Sequence, residues 1–192
     1  MISLQKPLIL ASNSPRRKQL LNDAGFDFTV ELLPTDETFP ITLPAEQVAD
    51  YISKAKAEMF RGIRPDAIVL TADTIVVADH EILGKPADRA EAFKMLEMLS
   101  GRSHTVITSV SLLSENTIQT VSDIAAVTFS ALEEWEITHY IEQYKPFDKA
   151  GSYGIQEWIG MVGVQKIEGS FYTIMGLPVH IVYKLLKPYF IS

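Results

Sequence analysis

Apolar residues along this chain come in short blocks that alternate with stretches of helical spacing, so strands and helices should follow one another throughout. Leu8-Ile9-Leu10-Ala11 is such a block, a buried strand leading through Ser12-Asn13-Ser14 to Pro15. Proline suits the first position of a helix, because its φ is already helical and its missing N–H would have no partner there. The spacing of Leu20, Leu21 and Ala24 predicts a helix over 15–24, stopped at Gly25. Its first turn carries Arg16 and Arg17, where the helix dipole favours acids instead. Residues 26–33 read as a second strand. Val48, Ile52, Ala55 and Met59 share one face of a helix predicted over 44–61 and ended by Gly62.

Ala67-Ile68-Val69-Leu70-Thr71 is too apolar for a half-exposed strand and is expected at the centre of a sheet, with Asp73 and Thr74 directly after it. Residues 75–78 and 81–83 flank Asp79-His80 as a hairpin, and 87–99 form a helix closed by Gly101. Residues 106–113 and 118–129 predict two long antiparallel strands joined through Ser114-Glu115-Asn116. Ser130 with Glu133 reads as a capping box for a helix reaching about Gln143. After glycine-rich turns, 161–167 is a further strand and 178–186 a final amphipathic helix. Strands outnumber those of a simple βαβ repeat, so the expected fold is α/β, a mixed central sheet flanked by helices. No repeat, low-complexity tract or long polar linker divides the chain, and residues 1–192 are expected to form one domain.

Composition narrows the chemistry. Among 192 residues there is no cysteine, which excludes disulfides, thiolate metal ligands and cysteine nucleophiles and fits a reducing compartment. The amino-terminal residues lack a basic segment followed by an apolar run, and no stretch has the length and apolarity of a membrane span, so a cytoplasmic protein with no membrane partner is expected. Seventeen Lys and Arg against 24 Asp and Glu give a net charge of −7, which argues against a general nucleic-acid binder. The charge is uneven. No Lys or Arg lies between Arg102 and Lys145, where Glu115, Asp123, Glu133, Glu134, Glu136 and Glu142 stand, so the remainder is nearly balanced. Arg16-Arg17-Lys18 and the pair Lys54 and Lys56 can then set up a local field for a small anion.

Five segments carry residues suited to chemistry. Ser12-Asn13-Ser14-Pro15-Arg16-Arg17 offers helix N–H groups, two hydroxyls and two guanidiniums, a set that matches phosphate; a Ser14 cap followed by surface arginines is the plainer alternative. Asp73 follows a buried strand, at the edge of an α/β sheet where ligand crevices form; there it holds a cation, positions a water, or caps a turn. Asp36-Glu37 is an acidic pair on a loop, for which plain solvation is the alternative. Gly84-Lys85-Pro86 holds one lysine in a rigid turn, which an ordinary surface turn explains equally well. In Asp148-Lys149-Ala150-Gly151-Ser152-Tyr153-Gly154-Ile155-Gln156 small residues permit close backbone approach, and the Gln156 amide presents a donor and an acceptor suited to a base edge. His80, His104, His139 and His180 show no metal-ligand spacing.

Together these strings resemble the Maf family. The likeness runs through Leu10-Ala11-Ser12-Asn13-Ser14-Pro15-Arg16-Arg17, Asp36-Glu37, Lys56-Ala57, Ala72-Asp73-Thr74-Ile75-Val76, Gly84-Lys85-Pro86, Leu99-Ser100-Gly101-Arg102-Ser103-His104, the 148–156 segment and Gly176-Leu177-Pro178. It covers nearly the whole chain, and the order and spacing of modest strings make it specific. It implies a fold like that of inosine triphosphatases, two lobes with a cleft, and hydrolysis of a nucleoside triphosphate to the monophosphate and pyrophosphate with a divalent cation, Mg²⁺ or Mn²⁺. By the same resemblance Asp73 matches the proton acceptor and Glu37 a carboxylate that helps hold the metal. Arg17, Lys56 and Lys85 match the cations around the triphosphate, with Ser12 and Ser14 beside them. Arg16, Thr74 and Gln156 match positions that set base preference and are similar to the branch acting on dTTP and UTP; the branch acting on 7-methyl-GTP has tryptophan in place of Arg16. Which carboxylate binds metal and which takes the proton stays open at this level, and so does assembly as a homodimer.

The chain departs from the family pattern in a few places. Ser53 stands where alanine is usual, Glu157-Trp158 follows Gln156 where small residues are usual, and Ile174-Met175 replaces a valine-rich pair. None of these removes a charged candidate. Two other functions are compatible with the same residues: a house-cleaning pyrophosphatase for modified nucleotides, and a non-enzymatic nucleotide-binding regulator of cell division.

Overall fold

The most apolar blocks of the sequence occupy the interior of a seven-stranded mixed sheet in the computed structural model, which describes residues 2–191. Strand β1 (Leu8–Leu10) is fully buried and lies between β2 (Thr29–Val30) and β3 (Ile68–Ala78), parallel to both, with Leu8 opposite Ile68 and Leu10 opposite Leu70. β4 (Glu81–Leu83) pairs antiparallel with the far end of β3, Val76 opposite Leu83. Beyond β3 the sheet continues through β5 (Ser103–Ser114), β6 (Thr117–Phe129) and β7 (Val164–Glu168), the last antiparallel to β6. The helices are α1 (Pro15–Asp23), α2 (Ala45–Glu58), α3 (Arg89–Leu99), α4 (Glu134–Tyr144), α5 (Trp158–Val162), α6 (Phe171–Met175) and α7 (Val179–Leu186). Among the described residues no helix is long and apolar enough to cross a membrane.

The chain divides into two compact units. The first holds the residues up to Asp73, Thr108–Asp123 and those from Gly176 onward; the second holds Thr74–Ile107 and Ile124–Met175. Strands β3, β5 and β6 each pass from one unit into the other. A core in the first unit gathers Ile9, Ala57, Phe60, Ala67, Val69 and Leu113. In the second, Val76, Leu96, Leu99, Phe129, Tyr140 and Ile155 belong to one larger cluster.

Most elements fall where the hydrophobic spacing puts them, and the departures have physical reasons. Asp73 and Thr74 do not end a strand: β3 runs unbroken through both. β1 pairs with its residues 68–70 and β4 with its residues 76–78, so that edge is covered by neither partner where the two polar side chains occur. The expected strand at 26–33 shrinks to two paired residues, because Val30 and Leu32 are exposed and Phe26 packs against the rings of Tyr183 and Phe190. α2 stops at Glu58, leaving Met59 exposed and turning Phe60 into the core in its place. α4 is capped by Glu133 rather than Ser130, the Glu136 carboxylate accepting from the Glu133 N–H at 2.7 Å. Met161 and Val162 belong to α5 and are exposed, so β7 begins only at Val164; α5 and α6, five residues each, are too short to show a helical period. Both hairpin turns place two successive residues at positive φ, Asp79 with His80 and Glu115 with Asn116, which is the backbone a tight two-residue connection requires.

Candidate functional site

In the first unit, the out-of-place arginine of α1 is explained by where its side chain goes. Ser14 occupies the N-cap position, its Oγ accepting from the Arg17 N–H at 3.5 Å, and the buried Ser12 Oγ accepts from the Ser14 N–H at 3.3 Å. The Arg17 guanidinium then turns back past the helix start. Its Nε donates to the Gly176 carbonyl at 2.8 Å, and its Nη1 donates to the Ala72 carbonyl at 2.9 Å and to Ser12 Oγ at 3.3 Å. Burial pushes the Arg17 pKa down from its ordinary value, Asp73 and Glu37 oppose that shift, and neighbouring Arg16 adds to it. Arg17 thus ties α1 to the residue before Asp73 and to the start of the α7 segment.

Lys56 lies in the last turn of α2 and stands between two carboxylates. Its Nζ is 2.8 Å from Asp73 Oδ1 and 2.8 Å from Glu37 Oε1, with the Lys56 and Asp73 side chains only 15% and 13% exposed. Glu37, at 52%, faces water. Asp36 acts locally instead, its Oδ1 accepting from the Thr38 N–H at 2.9 Å, and that backbone bond holds its pKa below the ordinary value. The height of Lys56 is set one turn earlier, by Ser53. Fully buried, Ser53 places its Oγ 3.0 Å from Ser111 Oγ, which is 2.8 Å from Thr120 Oγ1, while Thr71 Oγ1 donates to the Ser53 carbonyl at 2.7 Å. Ser122 bonds both Asp50 and, at 2.6 Å, Ser109. Paired hydroxyls of this kind fix one rotation of a helix on a sheet, since any slip leaves buried polar groups unsatisfied.

The second unit holds the remaining candidates. Thr74 is half-buried in β3. The Gly84 carbonyl accepts from the Gly151 N–H at 3.1 Å, so the Gly84-Lys85-Pro86 turn lies against the 148–156 segment. Gly151 has φ +66, and a Cβ there would lie 3.0 Å from Val76 Cγ2, which accounts for glycine at that point. Lys85 and Gln156 are exposed. In the interior of this unit His104 Nε2 is 2.7 Å from Tyr153 Oη, and burial pushes the imidazole down to about 4 and the phenol up.

The structure therefore brings Ser12, Ser14, Arg17, Glu37, Lys56 and Asp73 together in one unit, with Arg16 alongside, and sets Thr74, Lys85 and Gln156 in the other. Sequence reasoning left out Ser111, Thr120 and Tyr140, whose roles arise only from contacts distant in the chain; Ser53 and Glu157 stood out beforehand solely as departures from a family pattern. Among the described residues no three of His, Cys, Asp and Glu are grouped to hold a metal ion. Glu37 and Asp73 are joined through a shared partner, each 2.8 Å from the Lys56 ammonium.

The family model for Maf-like proteins matches residues 7–189. Curated relatives named dTTP/UTP pyrophosphatase, from Bacteroides thetaiotaomicron and Phocaeicola vulgatus, are 48% and 50% identical over 182 residues, 94% of this chain and 94% of each relative. A dTTP/UTP pyrophosphatase of Christiangramia forsetii is 46% identical over 181 residues, 94% of this chain and 92% of its own. Among solved structures, the Staphylococcus aureus Ham1 protein overlays with a TM-score of 0.48 at 14% identity, covering 65% of this chain and 72% of that one.

Proposed function

From the fact that this chain belongs to the Maf-like protein family, we propose that it hydrolyses nucleoside triphosphates to the monophosphate and pyrophosphate, acting on dTTP and UTP. The observation that carries this reading is Lys56, held at 2.8 Å by both Glu37 and Asp73 beside the inward-turned Arg17. Cations and acids packed this closely suit a polyanion whose charge must be drawn off while water attacks it. The relatives that bear the name dTTP/UTP pyrophosphatase support the choice of bases.

Glu37 and Asp73 would hold the divalent cation, Mg²⁺ or Mn²⁺, since a hard ion of this class binds through one or two carboxylates and the substrate's own phosphates. When bound, the ion neutralises phosphate charge and favours attack at the α-phosphorus. Lys56 keeps the two carboxylates from repelling one another and offers positive charge to the tail, and Arg17 and Arg16 add theirs. Asp73, the more buried of the pair and bound through Oδ1, takes the proton from the attacking water. Ser12 and Ser14 order the start of α1 for the phosphates. Lys85 supplies a further cation, while Thr74 and Gln156, with Arg16, choose the base.

Incubation of the purified protein with each nucleoside triphosphate and Mg²⁺ tests this. Pyrophosphate should leave from dTTP and UTP, and not when a chelator is present. Release of orthophosphate overturns the reaction assigned; strong preference for modified purines overturns the substrate; tight binding without turnover makes the protein a regulator.

A further inference from the structure

We propose that Glu157 is a positioning residue that sets the pose of Gln156 and thereby the base preference, an inference that rests on the reading of Gln156 as the base reader. Gln156 sits in a four-residue turn over 154–157, closed by a bond from the Glu157 N–H to the Gly154 carbonyl at 3.0 Å. The same turn is gripped a second time through side chains. The phenol of Tyr140, wholly buried on α4, accepts from the Gly154 N–H at 2.9 Å and donates to the Glu157 carboxylate, so one hydroxyl holds both ends. The other oxygen of Glu157 lies 3.2 Å from Nζ of Lys149, whose side chain is 8% exposed and is also paired with Asp148 at 2.7 Å.

Removing a lysine and a glutamate from water is costly, and a surface turn does not need it. What the arrangement achieves is geometric. A Cβ on Gly154 would lie 2.9 Å from Gln156 Nε2 and 2.8 Å from the Glu157 carboxyl carbon, so both side chains reach over the bare glycine. With Glu157 pinned by Tyr140 and Lys149, the Gln156 amide has a fixed neighbour on that side. One residue before the turn, Tyr153 is anchored in turn by His104 at 2.7 Å. An amide that discriminates bases by paired donor and acceptor depends on such fixing, because a rotation of its plane exchanges the two.

Steady-state kinetics with dTTP, UTP, dCTP and dGTP on the full-length protein, together with melting temperatures, tests the role of Glu157. In Glu157→Gln and Tyr140→Phe the KM for dTTP and UTP should rise about tenfold and their preference over dCTP in kcat/KM should fall by about the same factor, while kcat changes less than about threefold. Gly154→Ala should act in the same direction, because its Cβ presses on the Gln156 amide and the Glu157 carboxylate themselves, and it leaves the Tyr140 phenol in place, which keeps the test open should Tyr140→Phe fail to fold. Folded variants with unaltered KM and preference overturn the inference. So does an equal fall of kcat on all four nucleotides that tracks the melting temperature, which is what a merely structural role gives. A wild-type protein that releases pyrophosphate from none of them overturns the underlying reading, whereas an active wild type with unaltered variants overturns the role of Glu157 alone.

Discussion

Asp73 is held by Lys56 at 2.8 Å through Oδ1 with most of its side chain out of water, and the proposed mechanism makes it the general base. Asp73→Asn keeps the shape and removes the basicity. Its kcat for pyrophosphate release should fall about a hundredfold or more, the usual size of general-base catalysis, and near-normal turnover in this variant would refute the assignment. His104 makes a second residue-scale prediction. Burial holds its folded pKa at about 4 against an ordinary 6.5, so between those values the unfolded chain takes up a proton that the folded chain refuses. Stability is therefore lost as pH falls through that window and is unaffected by this group above it. Between pH 7 and pH 5 the wild type should lose about 2 kcal/mol more than His104→Gln, read from urea unfolding at the two pH values. Equal losses would remove His104 from the account. At this scale Arg17, Glu37, Lys56 and Asp73 were named in advance through the resemblance to the Maf family, and the structure places them in one unit. Tyr140 was not, because nothing in an amphipathic helix distinguishes a core tyrosine from one whose hydroxyl grips a turn 14 residues away.

α1, α3 and α7 could be read in advance because their signals are local: a serine cap before Pro15, a glycine after the last turn, apolar residues at helical spacing. Strand length was harder. β3 looked finished at Asp73 because an aspartate is a poor strand former, yet the chain stays extended there between two different edge partners. α5 was illegible for a different reason, since five residues give no period and its seat depends on close approach. A Cβ on Gly160 would lie 1.9 Å from the Ile155 carbonyl oxygen, and backbone cannot yield as a side chain can. Gly160→Ala should therefore destabilise the protein by about 3 kcal/mol or more, measured by thermal or urea unfolding, and a neutral effect would show that α5 moves freely on this segment.

Two compact units each built from discontinuous stretches, joined by three strands that run from one into the other, lead to a prediction for the whole molecule. A chain that is a single domain should unfold in one transition. Both tryptophans, Trp135 and Trp158, lie in the second unit, so their fluorescence follows that unit while far-UV circular dichroism follows the whole chain. The two melting curves should coincide; separated midpoints would make the units independent domains. What the sequence by itself determined is the inventory: which short segments are helical or extended, where glycine and proline break them, and which side chains are available to meet a polyphosphate. These follow from short-range sterics and from side-chain chemistry, which act within a few residues. Only the tertiary structure decided which of those side chains meet. Lys56 reaches Asp73 across 17 positions and Arg17 reaches Gly176 across 159. Such meetings depend on strand register and on the rotation at which α2 is locked by Ser53 and its hydroxyl partners, and both are settled by burial and hydrogen-bond satisfaction over the whole chain at once.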